Sequence, residues 1–105
     1  LVVSKKHAAS LIDLPQEDAA HVMRVGQIID KALQKSTLRC EGVNMFLADG
    51  KAAGQEVDHV HLHVFPRFAG DGFEMRFDSS TKKQPGRTQL DEDAKRISQA
   101  LTPDI

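Results

Sequence analysis

Three histidines stand at alternate positions in one short apolar segment of this sequence. His59, His61 and His63 are separated by Val60 and Leu62. In a β-strand, alternate side chains point to the same face, and two residues advance the chain by about 6.6 Å. The spacing therefore predicts a strand that presents a row of imidazoles on one face and apolar side chains on the other. The whole chain has only five histidines, so this concentration predicts a functional site.

A row of imidazoles is suited to nucleophilic catalysis at phosphorus. Neutral imidazole is a competent nucleophile near pH 7. His61 would attack with one ring nitrogen while the other donates its proton to a fixed acceptor, such as a nearby backbone carbonyl. His63 would stabilise phosphate oxygens or protonate the leaving group, a role typically worth ~10²–10⁴ in rate. Gly54 and Gln55, ahead of the strand, are predicted to bring backbone N–H groups and an amide to the phosphate.

Two other interpretations of the histidines remain open at this point. His59 and His61 can share a metal ion, with Glu74 as a candidate further ligand. It is harder for all three histidines to bind one ion, because the backbone positions of the outer pair are about 13 Å apart along a straight strand. The segment can also be the polar face of an edge strand without chemistry, which the regular spacing makes the least favoured interpretation.

The composition describes one ordinary globular domain. The 105 residues carry a formal net charge of −1, so nothing indicates a nucleic-acid partner. No apolar run approaches the roughly 18 residues that a membrane span requires. The single cysteine, Cys40, excludes an internal disulfide and fits a reducing cytoplasm. Because Leu1-Val2-Val3 resembles the interior of a strand, we expect a domain over 1–105 that lacks its N-terminal segment.

Two helices are predicted from apolar residues at three- and four-residue steps. The first covers residues 15–35, with acidic residues near its start and basic residues near its end, as the helix dipole favours. The second begins at Thr88, predicted as its cap, and carries apolar positions from Leu90 to Leu101.

Three strands are predicted over residues 1–4, 43–48 and 57–65. The turn at Asp49-Gly50 indicates that the last two strands pair antiparallel, and Pro66 is predicted to end the last one. Residues 73–77 are predicted as a short extended piece, and residues 79–87 as a polar loop. The order β-α-β-β-α is typical of an α+β fold with an antiparallel sheet, one long helix and a C-terminal helix on one side.

The segment from His59 to Phe65 resembles the signature of the histidine triad (HIT) superfamily, in which three histidines alternate with apolar residues. The resemblance extends to four other segments, which are Ala53-Gly54-Gln55, Pro66-Arg67, Gly42-Val43-Asn44 and Val2-Val3-Ser4-Lys5-Lys6-His7. Together these segments and the long helix cover most of residues 1–73. The resemblance implies a HIT-like fold.

The resemblance also implies a nucleotidyl hydrolase or transferase. Such proteins cleave nucleoside monophosphate conjugates at the α-phosphate, including dinucleoside polyphosphates and nucleoside phosphoramidates. It implies that His61 becomes covalently nucleotidylated, that His63 contacts phosphate and that His59 supports the site. Further phosphate contacts are implied for Gly54, Gln55 and Glu56. Homodimers that pair through the long helix and a strand are common in the family, and no cofactor is required.

Two positions depart from the family pattern. Ala48 stands where an Asn or Gln often contacts the ligand, and Glu56 stands where Ser or Thr is usual, so its charge opposes a phosphate. These departures keep an alternative open, a nucleotide-binding regulatory module with little turnover. A metal-dependent β-barrel enzyme is a weaker alternative because the long helix does not suit it. Arg67 is expected at the surface or a dimer interface, where it can help to hold a polyphosphate.

Some members of the family carry a structural zinc. Its ligands are two upstream cysteines, a histidine after the lysine-rich turn and the first histidine of the triad. His7 and His59 match the two histidine positions, whereas Cys40 matches neither cysteine. The resemblance therefore implies zinc only where residues upstream of Leu1 supply further ligands, and no metal site is assured.

Overall fold

The computed structural model describes residues 1–73 and 85–101. The strands and helices in these ranges are β1 Val2–Val3, α1 Gln16–Lys35, β2 Gly42–Phe46, β3 His61–Arg67 and α2 Arg87–Ala100. Single 3-10 turns cover Leu11–Asp13 and Lys51–Ala53. Most of the extended piece predicted over 73–77 and of the loop predicted over 79–87 lies outside the described residues, as does Glu74.

Strand β3 occupies the centre of the antiparallel sheet, whose order is β1-β3-β2. Val3 of β1 is paired with His61, and Phe46 of β2 is paired with His63. Because side chains alternate along a strand, His61 and His63 share one face of the sheet. Together with the two helices, this arrangement confirms the predicted α+β fold.

The opposite face of the sheet packs against α1. Val60 and Leu62 are 2% and 3% exposed, and Val22 on α1 belongs to the same apolar cluster. Gly26 on α1 allows a close approach, since a Cβ built there would lie 2.9 Å from the Cδ2 atom of Leu62. The helix thus fixes the strand that carries the histidines.

The long helix follows the prediction closely. It runs over Gln16–Lys35 with Pro15 at its N-cap. Pro15 has the extended backbone that precedes a helix, and Glu17 and Asp18 in the first turn favour the helix dipole. Helix α2 lies against α1. Within the described residues, no helix is both long and apolar enough to cross a bilayer.

Strand β3 starts later and ends later than predicted. Pro66, expected to end the strand, lies within it and is paired with Val43 of β2. The Arg67 carbonyl accepts a hydrogen bond from the Glu41 N–H at 2.7 Å. Proline lacks an N–H and is confined in sheets to positions where no ladder bond is needed from it, and the pairing with β1 ends well before Pro66, at His61 and Leu62.

The predicted cap of the C-terminal helix was wrong. Thr88 lies inside α2, which begins at Arg87 with Gly86 at the N-cap. Gly86 has the extended backbone of an N-cap residue, so the helix begins with the next residue. Strand β2 is also shorter than predicted, since it ends at Phe46 and leaves Ala48 in a buried loop position.

We expect Gly26→Leu to lower the free energy of unfolding by about 1–3 kcal/mol, although leucine favours helix more than glycine. The side chain has no room because Leu62 already occupies the space. Urea denaturation measures the effect. Gln27→Leu, on the exposed side of the same helix, is the control and should stay within about 0.5 kcal/mol of the parent. Equal effects of the two changes would contradict the close packing of α1 on β3.

Candidate active site

The structure brings two of the three histidines together as neighbours. The ring centroids of His61 and His63 are 5.0 Å apart, with an angle of 71° between the ring planes. Both residues are half-buried and stand on the face of β3 opposite α1. Two neighbouring imidazoles on one face of the sheet can act on the same bound group.

One hydrogen bond sets the tautomer of His61. Its Nδ1 lies 2.7 Å from the backbone carbonyl oxygen of His59. A carbonyl only accepts hydrogen bonds, so Nδ1 carries the proton and Nε2 of the neutral ring is unprotonated. This is the carbonyl partner that the sequence predicted for a nucleophilic histidine. An unprotonated nitrogen with an available lone pair is what attack on phosphorus requires.

His59 does not belong to the imidazole row, and that part of the prediction was wrong. Residues 57–59 form a bend ahead of β3, so the alternation of the strand does not extend to His59. Its Nε2–H donates to the Ser4 carbonyl at 2.8 Å, and its own backbone N–H donates to the Val57 carbonyl at 2.8 Å. His59 thus supports the site by holding in place the carbonyl that orients His61.

The other nitrogen of the His59 ring faces His7. The two Nδ1 atoms are 3.4 Å apart, and the rings meet edge to face with centroids 5.2 Å apart. Since His59 donates from Nε2, its Nδ1 is unprotonated when the ring is neutral. Tetrahedral zinc with Zn–N bonds of about 2.0–2.1 Å places two ligand nitrogens about 3.3–3.4 Å apart. The pair therefore fits two positions of a zinc site.

The described residues do not complete a metal site. Within ranges 1–73 and 85–101, no group of three or more His, Cys, Asp or Glu side chains is arranged to hold a metal ion. The alternative in which His59 and His61 share a metal is not supported, because the His61 nitrogen nearest to His59 is hydrogen-bonded to a carbonyl.

The loop before the histidines is held by a buried glutamine. The side-chain nitrogen of Gln55 donates to the carbonyls of Ala9 at 2.7 Å and Val57 at 2.9 Å, and its oxygen accepts the N–H of Gly50 at 2.7 Å. Both hydrogens of the amide are thus engaged, and the residue is 8% exposed. The predicted phosphate contact through this amide is not supported, and the geometry gives Gln55 a positioning role.

The backbone of the same loop is also engaged internally. The N–H of Gly54 donates to the Lys51 carbonyl at 3.0 Å, and the N–H of Gln55 donates to the Gly50 carbonyl at 3.1 Å. Gly54 has a φ of 93°, a conformation that glycine adopts without strain. Glycine is therefore needed here for the turn, whereas the predicted donation of these two N–H groups to phosphate is not supported. Glu56 is exposed beyond the turn.

Sequence reasoning missed the role of Asp49. Its carboxylate accepts hydrogen bonds from the Ser10 hydroxyl at 3.0 Å and the Leu11 N–H at 2.8 Å. These bonds tie the loop to the 3-10 turn that precedes α1. The only sequence signal was an Asp-Gly pair, which predicts a local turn and not a contact with residues about 38 positions earlier.

Comparison with known proteins identifies the family. The model of the HIT domain matches residues 1–70. The chain belongs to the HIT family. An uncharacterized HIT-like protein of Borreliella burgdorferi is 40% identical over 74 residues, which are 70% of this chain and 53% of that protein. An adenosine 5'-monophosphoramidase of Saccharomyces cerevisiae is 37% identical over 67 residues, which are 64% of this chain and 39% of that protein.

Solved structures of HIT proteins share the fold. A zinc-bound histidine triad family protein from Mycobacterium smegmatis superposes with a TM-score of 0.79 at 38% identity, covering 94% of this chain and 65% of its own. The chain spans 53% and 58% of the first two curated relatives, one from Borreliella burgdorferi and one from Methanocaldococcus jannaschii.

At the far end of β3, the arginine that follows the HIT signature is committed to an ion pair. Arg67 donates to both carboxylate oxygens of Asp71, at 2.7 and 3.0 Å. The carboxylate also accepts the N–H groups of Phe73 and Phe68. These hydrogen bonds, that of Arg67 first, hold the pKa of Asp71 well below its usual value. The sequence suggested that Arg67 could help to hold a polyphosphate; in the structure its guanidinium is engaged by Asp71, and that suggestion is not supported.

We expect Gln55→Glu to lower the free energy of unfolding by about 2–4 kcal/mol at pH 7. The change removes two buried hydrogen bonds and turns a carboxylate oxygen toward two carbonyls. Thermal and urea denaturation measure the loss. Gln27→Glu, on the exposed face of α1, makes the same chemical change and should cost less than about 0.5 kcal/mol. If Gln55→Glu were as mild as this control, the buried amide would not hold the loop.

Proposed function

We propose that this HIT protein cleaves nucleoside monophosphate conjugates at the α-phosphate through a covalent nucleotidyl intermediate on His61. The observation that carries the proposal is the hydrogen bond from Nδ1 of His61 to the His59 carbonyl. It leaves Nε2 as the unprotonated nitrogen of the neutral ring, beside a second imidazole at 5.0 Å.

The first step forms a bond between Nε2 of His61 and the α-phosphorus. The bond from phosphorus to the leaving group breaks, and the leaving group departs with the electron pair and takes up a proton, for which His63 is the proposed donor. The His61 ring becomes cationic as the bond forms. Its Nδ1–H bond to the His59 carbonyl strengthens with that charge, which favours the transition state over the ground state.

The second step returns the enzyme to its starting form. Water attacks the phosphorus, the P–N bond breaks and its electron pair returns to Nε2. The proton lost by water goes to His63, which gave up a proton in the first step. The products are a nucleoside monophosphate and the free leaving group.

Nucleoside phosphoramidates are the first substrate class to test. The yeast relative is an adenosine 5'-monophosphoramidase, and the Arg67 guanidinium is engaged by Asp71. Both observations favour a small leaving group over a dinucleoside polyphosphate, which stays the second class to test.

We expect His61→Ala to lower phosphoramidate turnover by at least about 10³-fold, because the nucleophile is lost. His63→Ala should lower turnover by about 10²–10⁴-fold, as the loss of a general acid does. Mass spectrometry of rapidly quenched parent enzyme should find a nucleotidyl group on the peptide that contains His61. His21→Ala, exposed on α1, is the control and should leave turnover unchanged.

Equal turnover in His61→Ala and the parent would reject His61 as the nucleophile. A different result separates the alternative function. If the parent binds a nucleoside monophosphate in calorimetry yet hydrolyses neither substrate class, the protein is a nucleotide-binding module and not an enzyme.

We also propose that His7 and His59 form half of a structural zinc site, completed by residues outside the described ranges. The 3.4 Å distance between their Nδ1 atoms supports this, as does the zinc-bound neighbour from Mycobacterium smegmatis. Zinc there would fix the turn at Ser4–His7 against the bend that carries the His59 carbonyl.

We expect His7→Ala in the full-length protein to weaken zinc binding by at least about 10²-fold, because one of four ligands is lost. Competition with a chromophoric chelator measures the affinity. A chelator should also lower the Tm of the parent more than that of His7→Ala. His21→Ala should match the parent, and unchanged affinity in His7→Ala would contradict the zinc site.

A further inference from the structure

We propose that Arg67 and Asp71 are positioning residues for His63 and act through the contacting rings of Phe73 and Phe65. The proposal rests on the function proposed above, because it assigns His63 a part in the reaction. The contacts that carry it run in one continuous series from His63 through Phe65 and Phe73 to the ion pair.

The first contact in the series is a stack of two rings on one strand. Side chains at alternate positions of β3 share a face, so Phe65 stands next to His63 on the face of the candidate site. The two ring centroids are 5.3 Å apart and the planes differ by only 5°. Such a stack restricts rotation of the imidazole about its bond to Cβ, and thereby the direction in which its nitrogens point.

The second contact supports Phe65 from outside the strand. Phe73, in the turn after β3, lies with its ring centroid 5.3 Å from that of Phe65. Phe73 is 38% exposed, so burial alone does not fix its ring. The Arg67 guanidinium carbon lies 4.6 Å from the centroid of the Phe73 ring, at cation–π distance.

The third contact fixes both partners of that cation–π pair. The Asp71 carboxylate accepts two hydrogen bonds from the Arg67 guanidinium. It also accepts a hydrogen bond from the N–H of Phe73 at 3.0 Å. One carboxylate thus sets the position of the guanidinium and of the Phe73 backbone. Asn44 on β2 accepts a further hydrogen bond from Arg67, which ties the cluster to the sheet. The Asp71 side chain is only 11% exposed, whereas the Asp91 side chain in the Arg87–Asp91 pair of α2 is 61% exposed.

The consequence for the reaction follows from the sensitivity of catalysis to geometry. A misplacement of about 1 Å at a reacting group can cost roughly 10²-fold in rate. If the ion pair is weakened, Phe73 and then Phe65 lose their fixed places, and the His63 ring samples more orientations. We therefore expect a loss in kcat rather than in substrate affinity, because His61 and its hydrogen bond to His59 are untouched.

The test uses Asp71→Asn, which keeps the shape of the side chain and removes its charge. We expect kcat with a nucleoside phosphoramidate to fall roughly tenfold while KM changes less than about twofold. Arg67→Lys should act similarly, because lysine keeps the charge but not the two-pronged contact. Asp91→Asn is the matched control. It breaks the exposed Arg87–Asp91 pair of α2, which has the same four-residue spacing, and should leave both constants unchanged.

A second readout follows the ring of His63 itself without substrate. Stacking on Phe65 shifts the imidazole ring protons of His63 in the NMR spectrum, and Phe65→Ala defines the unstacked value. We expect Asp71→Asn and Phe73→Ala to move these resonances toward that value, while Asp91→Asn and Phe73→Tyr leave them at the parent position. Rescue by Phe73→Tyr shows that an aromatic ring, and not bulk alone, is required.

Two results overturn the proposal. One is an unshifted His63 resonance in both Asp71→Asn and Phe73→Ala. The other is an Asp71→Asn variant with lowered Tm but parental kcat, which would mean that the ion pair only stabilises the turn. If the parent hydrolyses no conjugate at all, the function proposed above fails, and the ring resonances alone then decide whether the ion pair positions His63.

Discussion

The hydrogen bond between Nδ1 of His61 and the His59 carbonyl is the interaction on which the site depends, and much of the surrounding structure serves to place that carbonyl. The His59 ring is anchored to the Ser4 carbonyl, and the next residue, Val60, donates its N–H to the Ala8 carbonyl at 2.8 Å. The segment around residues 4–8 therefore holds the bend from both sides. A strand alone would point the His61 ring outward but would not choose which nitrogen carries the proton.

The loop between β2 and β3 shows how a motif can be important for a reason other than the expected one. Gly54 and Gln55 match the family signature, and their residue types suggested direct phosphate contacts. In the structure their polar groups are engaged inside the protein. A buried amide with its donors and its acceptor engaged holds the loop against the Ala9 and Val57 carbonyls ahead of β3.

The two ends of β3 have complementary roles. At its start, the bend and the Ser4–His59 contact orient His61. At its end, the ion pair of Arg67 and Asp71 fixes the aromatic rings beside His63. The core face of the strand, with Leu62 against Gly26 of α1, keeps the strand itself from shifting. A site built on a central strand thus obtains its precision from contacts at both termini as well as from the sheet. Pairing of two chains through α1 stays a prediction.

The sequence by itself determined the features that repeat locally. The two-residue period placed His61 and His63 on one face, and the helical period located α1 to within one residue, because both patterns follow from backbone geometry alone. Tertiary structure decided what depends on distant partners. The His59 ring is held by a residue 55 positions away and the Gln55 amide by one 46 positions away. Whether the Arg67 guanidinium pairs inside the protein or faces a ligand depended on the Asp71 carboxylate in the following turn. No periodicity encodes such contacts, because they exist only once the chain has brought the two groups together.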